Sequence, residues 1–189
     1  MPKLHPQLSK VNNNQQATEA FVKMHYPNEN FISDSAEFQS KNRYAKGLVI
    51  PEGVKVAESR IPRSPDQRSV LRKELRQAEI LTKRGNSVYF IPENAGFGIR
   101  PKDAIVNGQL FEFRTITGNA KTLEWQFRDA KKKGIDTNVF INVISDLDRD
   151  EVRRRIGSVI RNHQEYTGTV IMSFDDGENL FWWDSNSFR

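Results

Sequence analysis

Apolar residues recur at helical spacing between residues 67 and 84, and Gly85 follows where a helix would end. Four of them share one face of the predicted helix: Leu71, Leu75, Ala78 and Leu81. Glu74 lies between Leu71 and Ala78 on that same face. An acidic residue facing a core is costly unless it is paired or bound to something. Glu74 is therefore predicted to form a salt bridge at the rim of the core or to serve a site.

The rest of the pattern alternates between strands and helices. Short apolar runs predict strands over residues 87–91, 138–144, 169–174 and 179–183, and helical spacing predicts helices over residues 120–133 and 148–163. Two further strands flank Asn107-Gly108. From residue 67 onward the order is helix, three strands, helix, strand, helix and two strands. This order predicts an α/β fold, with a central mixed sheet of about five to six strands flanked by helices.

Residues 1–66 differ in composition from the rest of the chain. They contain the polar run Asn12-Asn13-Asn14-Gln15-Gln16 and few apolar clusters, which indicates a loosely structured accessory or linker region. A short helix near residues 17–24 and short edge strands at residues 47–50 and 54–56 are predicted within it. The predicted organisation is thus an N-terminal region over residues 1–66 and an α/β domain over residues 67–189.

Asn107-Gly108 is the strongest hairpin signal in the chain, because a type I′ turn needs positive φ at both central residues. A two-residue turn would place Asp103 opposite Glu112 on one side of the sheet. Arg114 would share that side, since it lies two residues after Glu112. The predicted cluster is either a surface ion-pair ladder or a site where two carboxylates hold Mg²⁺, which binds acidic oxygens together with substrate phosphate.

Composition favours a polyanionic partner. The 189 residues carry a net charge of +5 and a pI near 9.5, while a hydrophobic fraction of 37% and a mean hydropathy of -0.68 indicate that part of the chain is poorly packed. The absence of cysteine from the sequence excludes disulfides and cysteine zinc sites. No apolar run is long enough to span a membrane, and a soluble protein is expected.

One face of the predicted helix over residues 120–133 combines basic residues with an aromatic: Lys121, Trp125, Arg128 and Lys132. Basic side chains next to an aromatic suit contact with phosphates and stacking on bases. The alternative is an ordinary solvated helix face. Arg153, Arg154 and Arg155 on the next predicted helix add positive charge that can serve solubility alone.

This order of elements, with an acid on the first helix, an Asp opening the second strand and Glu-x-Arg on the third, resembles the PD-(D/E)XK nuclease superfamily. The chain is still more similar to the C-terminal nuclease domains of CdiA-type contact-dependent inhibition toxins, over residues 70–183. The matching stretches are Lys73-Glu74 before Gly85, Val88-Tyr89-Phe90-Ile91-Pro92-Glu93, Lys102-Asp103-Ala104-Ile105-Val106-Asn107-Gly108 and Phe111-Glu112-Phe113-Arg114. Their order and spacing carry the resemblance.

The resemblance implies a restriction-endonuclease-like fold and metal-assisted hydrolysis of a phosphodiester. It implies that Asp103, Glu112 and Glu74 are catalytic and bind Mg²⁺ or Mn²⁺. Arg114 would be the fourth catalytic residue, standing where the family has lysine. Arginine can position and stabilise a phosphate, but its pKa is too high for a base. Lys102, Lys121 and Arg128 are candidate backbone clamps, with Trp125 beside them as a nucleic-acid contact.

For the toxin relatives, transfer RNA is the expected substrate, a cognate immunity protein is an expected partner, and the target-cell cytoplasm is the expected place of action. Two alternatives stay open. One is a metal-independent ribonuclease of the barnase, EndoU, colicin or RelE type, using Lys, Arg, Thr or His groups. The other is a nucleic-acid-binding module or a phage or mobile-element structural protein that keeps a catalytically degenerate nuclease fold.

Overall fold

The structure is a computed structural model that describes residues 11–93, 102–119, 121–144, 146–174 and 180–184. These residues form two compact units, one reaching to Leu110 and the other beginning at Phe111. The elements confirm the predicted α/β fold with mixed strand pairing and flanking helices. The predicted boundary between residues 66 and 67 lies inside the first unit, and the predicted organisation into an accessory region and a nuclease domain stays a prediction.

The first unit pairs four short strands in chain order. Its elements are α1 (Val11–His25), β1 (Phe31–Ile32), α2 (Ser35–Ser40), β2 (Val54–Ala57), a 3₁₀ turn (Glu58–Arg60), α3 (Pro65–Thr82), β3 (Val88–Phe90) and β4 (Ala104–Val106). β1 runs antiparallel to β2, β2 parallel to β3, and β3 antiparallel to β4. The pairing is therefore mixed within this unit alone.

The residues before Asp66 contribute more regular structure than their polar composition indicates. The predicted short helix is the longer α1, and β2 is an inner strand between β1 and β3 rather than the predicted edge strand. Val54 and Val56 of β2 are both buried. Residues 47–50 form a loop instead of a strand, yet Leu48 and Ile50 are buried from it. A few buried apolar residues are thus enough to form regular structure in a region whose overall composition is polar.

Helix α3 follows its sequence signals closely. Its N-terminus is capped by the Ser64 side chain, which accepts the backbone N–H of Gln67, and Pro65 occupies the first turn. The predicted apolar face is buried, comprising Leu71, Leu75, Ala78 and Leu81. Glu74 is buried with them, as the spacing predicts. Gly85 follows the end of the helix with a φ of +83°.

The second unit pairs its strands around two helices. Its elements are β5 (Gln109–Ile116), α4 (Lys121–Lys132), β6 (Asn138–Val143), α5 (Arg149–Asn162), β7 (Thr169–Phe174) and β8 (Leu180–Asp184). β5 and β6 are parallel, β6 and β7 are parallel, and β7 and β8 are antiparallel. α4 buries Leu123 and Phe127 in the core that α5 shares through Ile156. The opposite face of α4 is consequently exposed.

The turn between β4 and β5 is the predicted two-residue turn. Asn107 has a φ of +52° and Gly108 a φ of +82°, so both central residues are left-handed. The Gly108 N–H donates to Thr18 Oγ1 of α1 at 3.1 Å. A Cβ added at Gly108 would lie 3.0 Å from the Cβ of Ala17 and 3.1 Å from its carbonyl oxygen. Glycine therefore serves both the turn and the close approach of α1.

We predict that Gly108→Ala lowers the free energy of unfolding by about 2–3 kcal/mol, because it adds a left-handed alanine and a contact with the α1 backbone. Gly53→Ala is the matched control: Gly53 has the same φ of +82°, but an added Cβ would meet only Thr82, at 3.5 Å. Urea unfolding of both variants separates backbone strain from the contact with α1. Equal losses in the two variants would show that the α1 contact contributes nothing.

Candidate active site

Glu74 lies in a buried ion cluster within the first unit. We call it the Arg60 cluster; it comprises Arg60, Glu74, Glu93 and Asp103. Nη2 of Arg60 donates to Oε2 of Glu74 at 2.5 Å, and both side chains are nearly inaccessible to solvent. Nε of Arg60 lies 3.9 Å from Oε1 of Glu93. Arg60 also stacks over the Phe90 ring, with its guanidinium carbon 5.8 Å from the centroid. The acid on the core face of α3 is therefore paired, as predicted.

The charges of this cluster act on one another. Burial raises the pKa of Glu74 to about 7; Arg60 opposes that rise, whereas Asp103 adds to it. Burial works against the charge on Arg60, but Glu74, Asp103 and Glu93 outweigh it and raise its pKa above the usual value. Two acids predicted from the sequence, one on α3 and one just before β4, thus lie within electrostatic reach of each other. The raised pKa of a buried acid such as Glu74 is the kind of perturbation that is concentrated at functional sites.

Glu112 lies in a separate cluster within the second unit. We call it the Glu112 cluster; it comprises Glu112, Arg114, Asp129 and Lys133. Glu112 is fully buried, and each of its carboxylate oxygens accepts from Nζ of Lys133 at 2.9 Å. Nη2 of Arg114 lies 3.3 Å from Oε2 of Glu112 and donates to Oδ2 of Asp129 at 3.1 Å. The predicted neighbours Glu112 and Arg114 are brought together. The predicted pairing of Asp103 with Glu112 stays a prediction.

Sequence reasoning missed Arg60, Asp129 and Lys133. Lys133 belongs to the run Lys131-Lys132-Lys133, where helical spacing alone does not say which amine turns towards β5. Lys132 remains on the exposed face, while Lys133 lies just past the last residue of α4 and reaches Glu112. Arg60 lies in the N-terminal region, which was predicted to be a loosely structured accessory or linker region. The signal that could have found both is the requirement that Glu74 and Glu112 be paired if buried.

The predicted nucleic-acid contacts differ in their exposure. Lys121, Trp125 and Arg128 lie on the outer face of α4, where Trp125 is 60% exposed. Arg128 pairs with Glu124 one turn earlier, with 2.8 Å between Nη2 and Oε1. Lys102 is instead buried, at 7% exposure. The predicted contacts on α4 are thus exposed, whereas Lys102 would have to act from a buried position.

A third charged contact joins α4 to the residues after α5. Nζ of Lys131 lies 2.6 Å from Nδ1 of His163 and 2.5 Å from Oε1 of Glu165. The His163 ring also packs 5.9 Å from the Phe127 ring, measured between centroids. This lysine's hydrogen bonds hold the pKa of Glu165 low, at about 2. This contact places the imidazole of His163 next to the amine of Lys131.

Among the residues that the structure describes, no three His, Cys, Asp or Glu side chains lie close enough together to hold a metal ion. None of the helices in that part of the chain is long and apolar enough to cross a membrane. No family model, curated protein or solved structure matches this chain. The geometry of the two clusters and the exposed face of α4 are therefore what supports a function.

We predict that Glu74→Gln flattens the dependence of stability on pH. The pKa of Glu74 is about 7 in the folded chain and 4.5 as an ordinary carboxyl, so the folded state holds a proton that the unfolded state loses. That contribution is present below pH 4.5 and disappears as the pH rises towards 7. The expected contribution is on the order of 2–3 kcal/mol.

Urea unfolding of the wild type and the variant at pH 4.5 and pH 7.5 measures this difference. Glu79→Gln is the matched control on the same helix, because Lys83 and Arg76 lower the pKa of Glu79. Its removal should change the pH dependence slightly and in the opposite direction. An unchanged pH dependence in Glu74→Gln would contradict the assignment of the raised pKa to this residue.

Proposed function

We propose that the protein is a metal-dependent endonuclease that hydrolyses RNA, with transfer RNA as the expected substrate class. One observation carries the proposal: Glu74 and Asp103, both selected from the sequence, lie close enough that Asp103 raises the pKa of Glu74. The order of elements from α3 to β6 also agrees with the helix, three strands, helix and strand that the resemblance requires. Protein and substrate charges are complementary, since the chain carries +5.

The donor chemistry of these residues fits a hard divalent cation. Carboxylate oxygens are the usual ligands of Mg²⁺ and Mn²⁺. Burial is the main cause of the raised pKa of Glu74; Arg60 lowers this pKa, and Asp103 adds a smaller rise. The two carboxylates therefore repel each other, and a cation would relieve that repulsion. Glu74 and Asp103 would hold the ion, and the participation of Glu112 stays a prediction. When bound, the ion would lower the pKa of a water molecule and polarise the phosphodiester.

Arg114 and Lys133 of the Glu112 cluster differ in what they could do at a phosphodiester. Arg114 keeps its charge at every accessible pH, so it can face a phosphate but cannot accept a proton. Lys133 can do both, because an ammonium group loses its proton far more easily than a guanidinium. Its Nζ is held at 2.9 Å from both oxygens of Glu112. We therefore assign Lys133 the proton-handling role that Arg114 cannot fill.

The outer face of α4 supports the RNA part of the proposal. Lys121 and Arg128 are exposed and can contact phosphates, and Trp125 is exposed between them along the helix. A solvent-exposed tryptophan offers a stacking surface to an unpaired base, which favours single-stranded RNA segments over a regular duplex.

A specific contact favours one other candidate function. His163 and Lys131 lie 2.6 Å apart, which gives a metal-independent ribonuclease an imidazole and an amine to use. In that case cleavage would persist in EDTA and would depend on His163 rather than on Glu74 or Asp103. The two candidates therefore differ in both their cofactor and their essential residues.

We predict cleavage of total transfer RNA in the presence of Mg²⁺ or Mn²⁺ and its loss in EDTA. Asp103→Asn and Glu112→Gln should each lower the cleavage rate by about a hundredfold or more, because they remove charge required in the transition state. Asp136→Asn, an exposed acid of the second unit, is the control. Gel assays of the purified variants, with folding checked by circular dichroism, measure the effect.

Undiminished cleavage by Glu112→Gln would remove Glu112 from the site. Cleavage that persists in EDTA and disappears in His163→Ala would select the metal-independent candidate. Binding of RNA with no cleavage under any metal condition would select the catalytically degenerate nucleic-acid-binding module instead.

We predict separately that Lys133→Arg keeps the fold and lowers cleavage by about a hundredfold, since arginine preserves the charge next to Glu112 but not the proton transfer. Lys132→Arg, at the neighbouring exposed position, should cleave at the wild-type rate. Circular dichroism checks that both variants are folded. A wild-type cleavage rate in Lys133→Arg would leave lysine with a structural role alone.

A further inference from the structure

The first unit contains a cavity of about 520 Å³, and Glu74 is the one described lining residue that the nuclease proposal uses. Its inner wall includes the buried pair of Arg60 and Glu74, and its mouth includes Asp66 at the start of α3 and the exposed Glu93. A volume of this size holds an organic molecule or a long side chain rather than a single ion or water molecule. The question is which chemistry fits its lining.

The charges that line the cavity are opposite in sign to those of the chain as a whole. The described lining residues include four acids and two arginines: Glu29, Asp66, Glu74, Glu93, Arg60 and Arg63. The described lining residues are together net negative whether or not Glu74 carries a proton, while the whole chain carries +5. A phosphate or another anion is therefore disfavoured here, and a cation is favoured.

The acids differ in how much of their bonding capacity is already used. Oε2 of Glu74 accepts from Arg60, and Oε1 of Glu29 accepts the backbone N–H of Ser59 at 3.0 Å. Asp66 forms no hydrogen bond or ion pair with any residue that the structure describes. Oε1 of Glu93 lies 3.9 Å from Nε of Arg60, which is too far for a hydrogen bond. Asp66 and Glu93 are thus the carboxylates best placed to receive a charged ligand group.

Apart from the polar residues Ser59 and Gln67, the other uncharged residues of the described lining are aliphatic. Ile61, Leu71 and Pro92 line the cavity, and Val70, which is 53% exposed, lies beside them. No aromatic residue is among the described lining residues, so the cavity lacks a surface on which a nucleobase would stack. Aliphatic walls with carboxylates at the opening suit an alkyl stem that ends in a positive charge.

We propose that this cavity binds an alkyl-guanidinium or alkyl-ammonium group, with its stem against Ile61, Val70 and Leu71 and its charge at Asp66 and Glu93. Such a group belongs either to a free polyamine or to an arginine or lysine side chain of a partner protein. The proposal does not depend on nuclease activity, because it rests on the volume, charge and apolar wall of the cavity alone.

The test is calorimetric titration of the full chain with butylguanidinium and with its neutral isostere butylurea. We expect saturable binding of butylguanidinium with a Kd below ~1 mM, and at least about tenfold weaker binding of butylurea. Spermidine and a short peptide with one central arginine distinguish the two sources of the ligand. Tighter binding of spermidine assigns the site to a polyamine, and tighter binding of the peptide assigns it to a protein side chain.

Three variants locate the binding. Asp66→Asn should weaken binding about five- to tenfold, and Val70→Trp should abolish it by filling the mouth. Glu52→Gln removes an exposed acid of the same unit outside the cavity and should bind as the wild type does. Thermal melts confirm that each variant is folded. Equal binding of butylguanidinium and butylurea, no saturable binding of any probe, or undiminished binding in both cavity variants would overturn the proposal.

Discussion

The structure depends on the need to compensate carboxylates that are buried in its cores. Glu74 on α3 and Glu112 on β5 are both nearly or fully inaccessible to solvent. Burying an isolated ionised carboxylate there would cost more free energy than the whole folding stability of a small domain. Each unit pairs its buried carboxylate with a basic side chain from another element. Arg60 of the 3₁₀ turn pairs with Glu74, and Lys133, just after α4, pairs with Glu112. The 3₁₀ turn and the end of α4 thus each place a basic side chain next to a buried acid.

Local sequence patterns predicted the helices and turns well, because the signals for each of them lie within a few residues of one another. Helix α3 has a capping serine, a proline, a periodic apolar face and a terminal glycine, and it lies where those signals place it. The two-residue turn at Asn107-Gly108 follows from the positive φ that both residues tolerate. The strand β2 was harder, because Val54 and Val56 lie in a polar region and only pairing with β3 makes them an inner strand.

The candidate site was predictable as far as spacing reaches and no further. Helical period placed Glu74 on the buried face of α3, and alternation along β5 put Glu112 and Arg114 on one side. The partners of these acids lie on other elements, so no local pattern identifies them. Arg60 is 14 residues from Glu74 and Lys133 is 21 residues from Glu112. From the sequence one can predict that a buried acid must be paired, but not which residue is its partner.

Stability alone does not explain why these charged groups are kept. Replacing a buried ion pair with well-packed apolar residues of similar size is often neutral or stabilising, whereas removing one partner is strongly destabilising. Leu71, Leu75 and Ala78 show that α3 can fill its core face with ordinary apolar residues. Glu74 interrupts that face and couples electrostatically to Asp103 across the unit. Glu74 and Arg60 thus form a buried pair that an apolar core could replace, next to a second acid, and the stability of the fold alone does not account for that arrangement.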